Sequence, residues 1–185
     1  MRIAIISGSP RGNSITYRLA LHLEKRIREN TNHETDIIDL RTFRMPQLQS
    51  VFTSVDASPE AYKELSKKMF GADAFVLVTP EYNGSYSAAL KNLMDHYPKQ
   101  HRKVFGIVTA SPGALGGVRA ALQLQELIFA LFGIGSPYML VTPHIENKFD
   151  ADGTLIDPGF QKAVDVFVNE FLWLAEKLTE ELTAK

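Results

Sequence analysis

The placing of chain breakers constrains this sequence more than any other feature in it. Three apolar runs, Ile3 to Ile6, Ala74 to Thr79 and Lys103 to Thr109, each stop at a loop rich in Gly, Ser, Pro or Asn. These loops are Ser7 to Thr16, Pro80 to Ser85 and Ser111 to Gly117. Unalternating runs of this kind read as strands buried on both faces of a parallel sheet. After each loop the apolar spacing turns helical: Tyr17, Leu19, Ala20, Leu23 and Ile27, then Ala88 to Met94, then Val118 to Phe132. Strand, loop and helix in that order put all three loops at carboxyl ends of strands, the edge where open α/β sheets bind ligands.

Asp36 to Leu40 reads as the second strand and Tyr138 to Val141 as the fifth. Ser58 followed by Pro59 is a helix-start signal ahead of Tyr62, Leu65, Met69 and Phe70. Phe160 to Leu182 forms the last helix, with Phe167, Phe171 and Trp173 expected against the sheet. Five strands alternating with five helices define an α/β fold, and right-handed crossovers leave few topologies. The expectation is a flavodoxin-like three-layer sandwich with a five-stranded parallel sheet in the order 2-1-3-4-5. No repeat or linker divides the chain, so residues 1–185 are expected to form one domain, burying roughly 70% of the unfolded surface.

Zero cysteines exclude thiolate nucleophiles, Cys-held zinc or iron–sulfur centres and disulfides, and agree with a reducing compartment, the cytoplasm. A formal charge of −1 argues against nucleic acid and anionic membrane surfaces as partners. The apolar run at Ile3 to Ile6 is too short for a signal peptide, and no run approaches the ~20 apolar residues of a membrane span.

Phosphate is the natural ligand of the first loop. Amides at a helix amino terminus lack intrahelical acceptors, Ser9, Ser14 and Thr16 add hydroxyls, and Arg11 adds a guanidinium. The spacing is neither a Walker A loop nor a Gly-x-Gly-x-x-Gly fingerprint. The plainer reading is a tight turn with Ser14 as helix cap. In the second loop Asn83-Gly84 favours positive φ and Tyr82 offers an aromatic wall, against the alternative of a turn capped by Ser85. The glycines of the third loop let main-chain N–H groups approach a ligand, or simply make a flexible connection. The histidines have no zinc-site spacing, so no metal is implied, and no nucleophile elbow is present.

Gly8-Ser9-x-Arg11-x-x-Ser14, together with Pro80-Glu81-Tyr82-Asn83-Gly84-Ser85 followed by Leu90-Lys91-Asn92 and Asp95, resembles the signatures of the NADPH-dependent FMN reductases. This flavodoxin-like family includes quinone, chromate and azo-dye reductases, and the resemblance spans nearly the whole chain. It implies FMN held at the phosphate by Ser9, Arg11, Ser14, Ile15 and Thr16, bordered at the isoalloxazine by Pro80, Glu81, Tyr82, Asn83, Gly84 and Ser85, and faced at the pyrimidine edge by Ser111, Gly113 and Gly117. Thr16 departs from the family, which often has Asn there. It further implies hydride transfer from NADPH or NADH, then ping-pong electron transfer to quinones, nitro- or azo-aromatics, free flavin or metal ions, by a homodimer or homotetramer. A flavodoxin-type electron carrier is the alternative, disfavoured by the near-neutral charge and by Arg11. The helix carrying Leu90, Leu93, Met94 and Tyr97 offers either an oligomer face or core. Within the long connection from Arg41 to Ala57, the stretch Thr42 to Ser54, with Phe43, Met45, Pro46, Leu48 and Phe52, offers with Tyr82 and Asn83 an apolar wall for acceptors, or folds back onto the core.

Overall fold

A computed structural model gives the fold and describes residues 1–183. The elements run β1 (Arg2–Ser7), α1 (Thr16–Asn30), β2 (Glu34–Asp39), α2 (Lys63–Gly71), β3 (Ala74–Pro80), α3 (Ala88–Asp95), β4 (Val104–Ser111), α4 (Val118–Ala130), β5 (Ile134–Gly135), β6 (Leu140–Pro143) and α5 (Gln161–Thr183). The sheet is parallel throughout, in the order β2-β1-β3-β4, with β5 and β6 both paired to β4.

Because side chains alternate across a strand, the sheet carries two cores. Ile3, Ile5, Val76, Val78 and Val108 meet Leu19 and Leu23 of α1 and Phe167 and Phe171 of α5. Ala4, Ile6, Phe75, Leu77 and Phe105 meet Leu65, Leu90, Leu93, Leu124 and Ile128 on the other side. Strands covered on both faces need no polar alternation, which is why β1, β3 and β4 read as continuous apolar runs.

The fifth strand is split. Ile134 and Gly135 pair with Val104 and Phe105, and the ladder resumes only at Leu140 against Val108. Pro137 has no N–H to give to a ladder, so the chain leaves β4 between the two pieces. The expected strand at Tyr138 to Val141 is the second piece, displaced to Leu140–Pro143.

Ser58 caps no helix. Its hydroxyl donates to Ser54 O at 2.8 Å and meets Ser66 Oγ at 2.7 Å, and Ser66 Oγ in turn lies 2.9 Å from the Tyr97 hydroxyl. The polypeptide enters α2 through a one-turn 3₁₀ helix, Glu60–Tyr62. Burial pushes the Tyr97 phenol up to about 12. Leu90, Leu93, Met94 and Tyr97 are all core residues, so the α3 pattern is packing rather than an oligomer face. Trp173, expected on the sheet, is 58% exposed while Phe167 and Phe171 are fully buried.

Candidate functional site

Loop 1 leaves β1 at Gly8, whose N–H donates to Val78 O at 2.7 Å and whose carbonyl accepts the Ser87 hydroxyl. A Cβ at Gly8 would lie 3.1 Å from Val78 O and 3.3 Å from Leu90 Cβ, so glycine lets the loop lie close against β3 and α3. Ser14 Oγ accepts from Tyr17 N at 3.2 Å, tying the loop to the first turn of α1. Between them, the backbone N–H groups of Ser9 and of Arg11 to Ile15 have no acceptor among the described residues. Unpaired amides at a helix amino terminus form an anion cradle.

Arg11 crosses from loop 1 to loop 2, its guanidinium carbon 4.6 Å from the Tyr82 ring centroid, and has no carboxylate partner among the described residues. Loop 2 is a tight hairpin: Asn83 (φ 51°) and Gly84 (φ 82°) turn the chain, while Tyr82 N–H donates to Ser85 O at 2.9 Å and Ser85 N–H to Tyr82 O at 3.1 Å. The expected positive φ at Asn83-Gly84 is therefore present, and the helix cap is Ser87 rather than Ser85, accepting from Leu90 N at 3.1 Å. The Glu81 carboxylate turns toward α4, accepting from Arg119 N at 3.1 Å and Ala120 N at 3.3 Å. In loop 3, Gly113 N–H donates to Ser111 Oγ at 3.1 Å, and Gly116 and Gly117 have φ of 59° and 89°.

The three loops enclose a cleft of about 270 Å³. Ser9, Arg11, Ser14, Ile15, Thr16, Pro80, Glu81 and Tyr82 wall it, as the sequence places them. Asn83, Gly84, Ser85, Ser111, Gly113 and Gly117 belong to the same loops but do not wall the cleft. Asn13, Ala110, Pro112 and Ile145 complete the wall without having been singled out in the sequence. Ala110 arrives because it pairs with Pro80 across β3 and β4, and Ile145 because β6 ends beside β4 in a 3₁₀ turn.

Beneath this wall Ser7 Oγ and Thr142 Oγ1 are buried without a partner among the described residues. Ser7 stands opposite Val78 and Thr142 opposite Ala110, on the sheet face that also carries Pro80. The donor set thus suits an anion at the α1 end, and the apolar and aromatic walls suit a flat ring, which is the make-up of FMN. A larger polar hollow of about 490 Å³ lies at the opposite, amino edge of the sheet, where its charges pair with one another, Arg2 with Glu34 at 2.8 Å.

The connection from Arg41 to Ala57 mostly folds back. Phe52 is 6% exposed, its ring centroid 5.2 Å from that of His96 and 5.6 Å from that of Tyr97, and its N–H donates to His96 O at 2.7 Å. Asn92 Nδ2 donates to Pro46 O at 2.8 Å, and Phe43 and Met45 pack on the same core, leaving Leu48 and Val51 exposed. Among the histidines, His22 Nδ1 lies 3.0 Å from Gly153 O and His33 Nε2 2.8 Å from Glu176. Burial pushes the His22 pKa down. Among the described residues no group of three or more His, Asp or Glu is placed to hold a metal ion.

The parallel order β2-β1-β3-β4 with helices on both faces and a three-loop cleft at the carboxyl edge defines a flavodoxin-like α/β protein. The family model for NADPH-dependent FMN reductases matches residues 1–144, and the chain belongs to that family. It is accordingly an NAD(P)H-dependent oxidoreductase with FMN as cofactor. An FMN-dependent NADPH-azoreductase of Staphylococcus aureus is 32% identical over 178 residues, covering 93% of this chain and 94% of that protein. The solved structure of FerB, a flavoenzyme NAD(P)H:(acceptor) oxidoreductase from Paracoccus denitrificans, superposes with a TM-score of 0.77 at 25% identity, over 95% of this chain and 97% of that one. A Pseudomonas aeruginosa flavodoxin mutant shares the fold at a TM-score of 0.56 and 22% identity, over 92% and 99% of the two chains.

Proposed function

We propose that loop 1 holds the FMN phosphate through its amides, Arg11 and the hydroxyls of Ser9, Ser14 and Thr16, and that loops 2 and 3 border the ring. NADPH or NADH and a small electron acceptor then use the open side of the cleft in turn, in ping-pong order. The observation that carries this is the row of acceptorless amides from Ser9 to Ile15 beside an Arg11 with no carboxylate partner among the described residues. When bound, FMN supplies the redox chemistry, taking hydride from the nicotinamide and passing electrons on. The chain's own residues would hold the phosphate at loop 1 and line the ring site with Pro80, Tyr82, Ala110 and Ile145. Quinones, nitro- and azo-aromatics, free flavin and oxidised metal ions are the acceptors this reading admits, and the azoreductase relative supports the azo class. The absence of cysteine agrees with work in the reducing cytoplasm.

Adding NADPH without oxygen to the FMN-loaded protein should bleach its yellow colour, and a quinone should restore it. A protein that stays yellow with both NADPH and NADH would contradict the reading.

The same reading includes a homodimer or homotetramer, supported by α4 rather than α3. Arg119, Leu122, Glu126 and Phe129 form an outward stripe, with Leu122 51% and Phe129 74% exposed. Leu115, just ahead of the helix, is 61% exposed and adds to this apolar surface, which two-fold association would bury against its own copy. Sedimentation should give a multiple of the 20.7 kDa chain mass, reduced to the single chain by Leu122→Glu. A wild-type protein that sediments only as a single chain at micromolar concentration would end this part of the reading.

A further inference from the structure

Two helix amino termini reach the cleft edge, and the chain treats them oppositely. At α1 the amides of Ser9 and of Arg11 to Ile15 are left without acceptors among the described residues. At α4 every amide of the first turn is filled: Val118 N donates to Leu115 O at 3.0 Å, Arg119 N and Ala120 N to Glu81 Oε2 at 3.1 and 3.3 Å, and Ala121 N to Gly117 O at 3.1 Å. The acceptor for the middle pair is a full negative charge reaching across from loop 2. It belongs to a residue that itself walls the cleft and whose side chain is 17% exposed. A helix amino end carries roughly half a positive charge, which is the kind of group that stabilises developing anions. The full carboxylate charge of Glu81 outweighs that half charge at α4 and leaves net negative charge beside the ring site. Arg119 is the cation facing it, 3.9 Å from Glu81 Oε1, but its side chain is 67% exposed and therefore screened by solvent.

We propose that Glu81 lowers the reduction potential of the bound flavin, beyond its place in the cleft wall. Negative charge gained by the ring on reduction meets the Glu81 carboxylate, and α4 is prevented from offsetting it. Electrons then leave more readily to acceptors of low potential, at the expense of the equilibrium with NADPH. Loop 1 anchors the cofactor through its open amides, and loop 2 spends its one carboxylate on the redox balance. This inference rests on the reading that the cleft holds FMN.

The test is the midpoint potential of the FMN-loaded protein, measured by spectroelectrochemistry, in Glu81→Gln and Arg119→Leu. Glu81→Gln keeps an acceptor oxygen for the α4 amides and removes the charge. Its potential should rise by about 30 mV or more, a tenfold shift in a two-electron equilibrium. Arg119→Leu keeps its backbone amide and removes the opposing cation, so the potential should move the other way by a smaller amount. A purely structural role for Glu81 predicts no rise in Glu81→Gln. An unchanged or lowered potential in Glu81→Gln overturns the proposal. If that variant fails to fold, Glu81→Ala takes its place, and an unchanged or lowered potential there overturns the proposal. Equal affinity of wild type for FMN and riboflavin would instead defeat the reading of the cleft; with FMN preferred and the Glu81→Gln potential unmoved, only the role of Glu81 falls.

Discussion

Gly116→Ala should destabilise the protein by about 2–5 kcal/mol, combining left-handed backbone strain of about 1–2 with overpacking of about 1–3. Gly116 sits at φ 59°, and a Cβ there would lie 2.6 Å from Pro143 N and 2.7 Å from Val141 Cγ1. The nearest obstacle is backbone, so no flexible side-chain tip can swing aside. Thr109 Oγ1 also donates to Gly116 O at 3.0 Å, fixing the loop from β4. Moving the residue would therefore displace β6 or loop 3, and both adjoin the cleft wall at Ile145 and Pro112. Urea unfolding of the variant should show the loss as a lower midpoint at unchanged slope. A change below about 1 kcal/mol, near the ordinary run of point mutants, would mean that loop 3 and β6 are not packed as described.

Arg11→Ala should weaken FMN binding by roughly ten- to a hundredfold, since a hydrogen bond to a charged group contributes about 1.5–3 kcal/mol. The guanidinium lies over the Tyr82 face, an interaction worth only about 0.5–1 kcal/mol at an exposed site. Its removal should leave the fold near wild-type stability, so the loss is specific to the ligand. Titration of FMN against flavin fluorescence measures it. Unchanged affinity in a folded variant would remove Arg11 from the phosphate site.

The sheet was legible in the sequence where β-branched runs met breakers, because a strand buried on both faces leaves an unbroken apolar signature, as in Ile3 to Ile6 and Ala74 to Thr79. β5 left no such mark: Ile134 and Gly135, a pair too short to show a pattern, join the sheet because β4 offers an edge, and Pro137 then breaks the ladder. Loops 1 and 2 were legible through local turn chemistry, since Asn83-Gly84 needs no distant partner to take positive φ. Ala110 and Ile145 were not, because strand register brings them to the cleft and no side-chain chemistry announces it. The carboxylate of Glu81 had the same difficulty: its partners lie 38 and 39 positions away. Phe52 and Trp173 show the remaining limit, one apolar residue in an irregular loop turning inward and another in a regular helix facing out, as distant packing decides.

The most direct measurement compares FMN with riboflavin, which differ by the phosphate, in wild type and in Arg11→Ala. With the phosphate seated on the loop 1 amides and Arg11, wild type should prefer FMN by at least roughly tenfold, and Arg11→Ala should lose a large part of that preference while its riboflavin affinity stays nearly the same. Equal affinity of wild type for FMN and riboflavin would contradict the placing of the phosphate at loop 1.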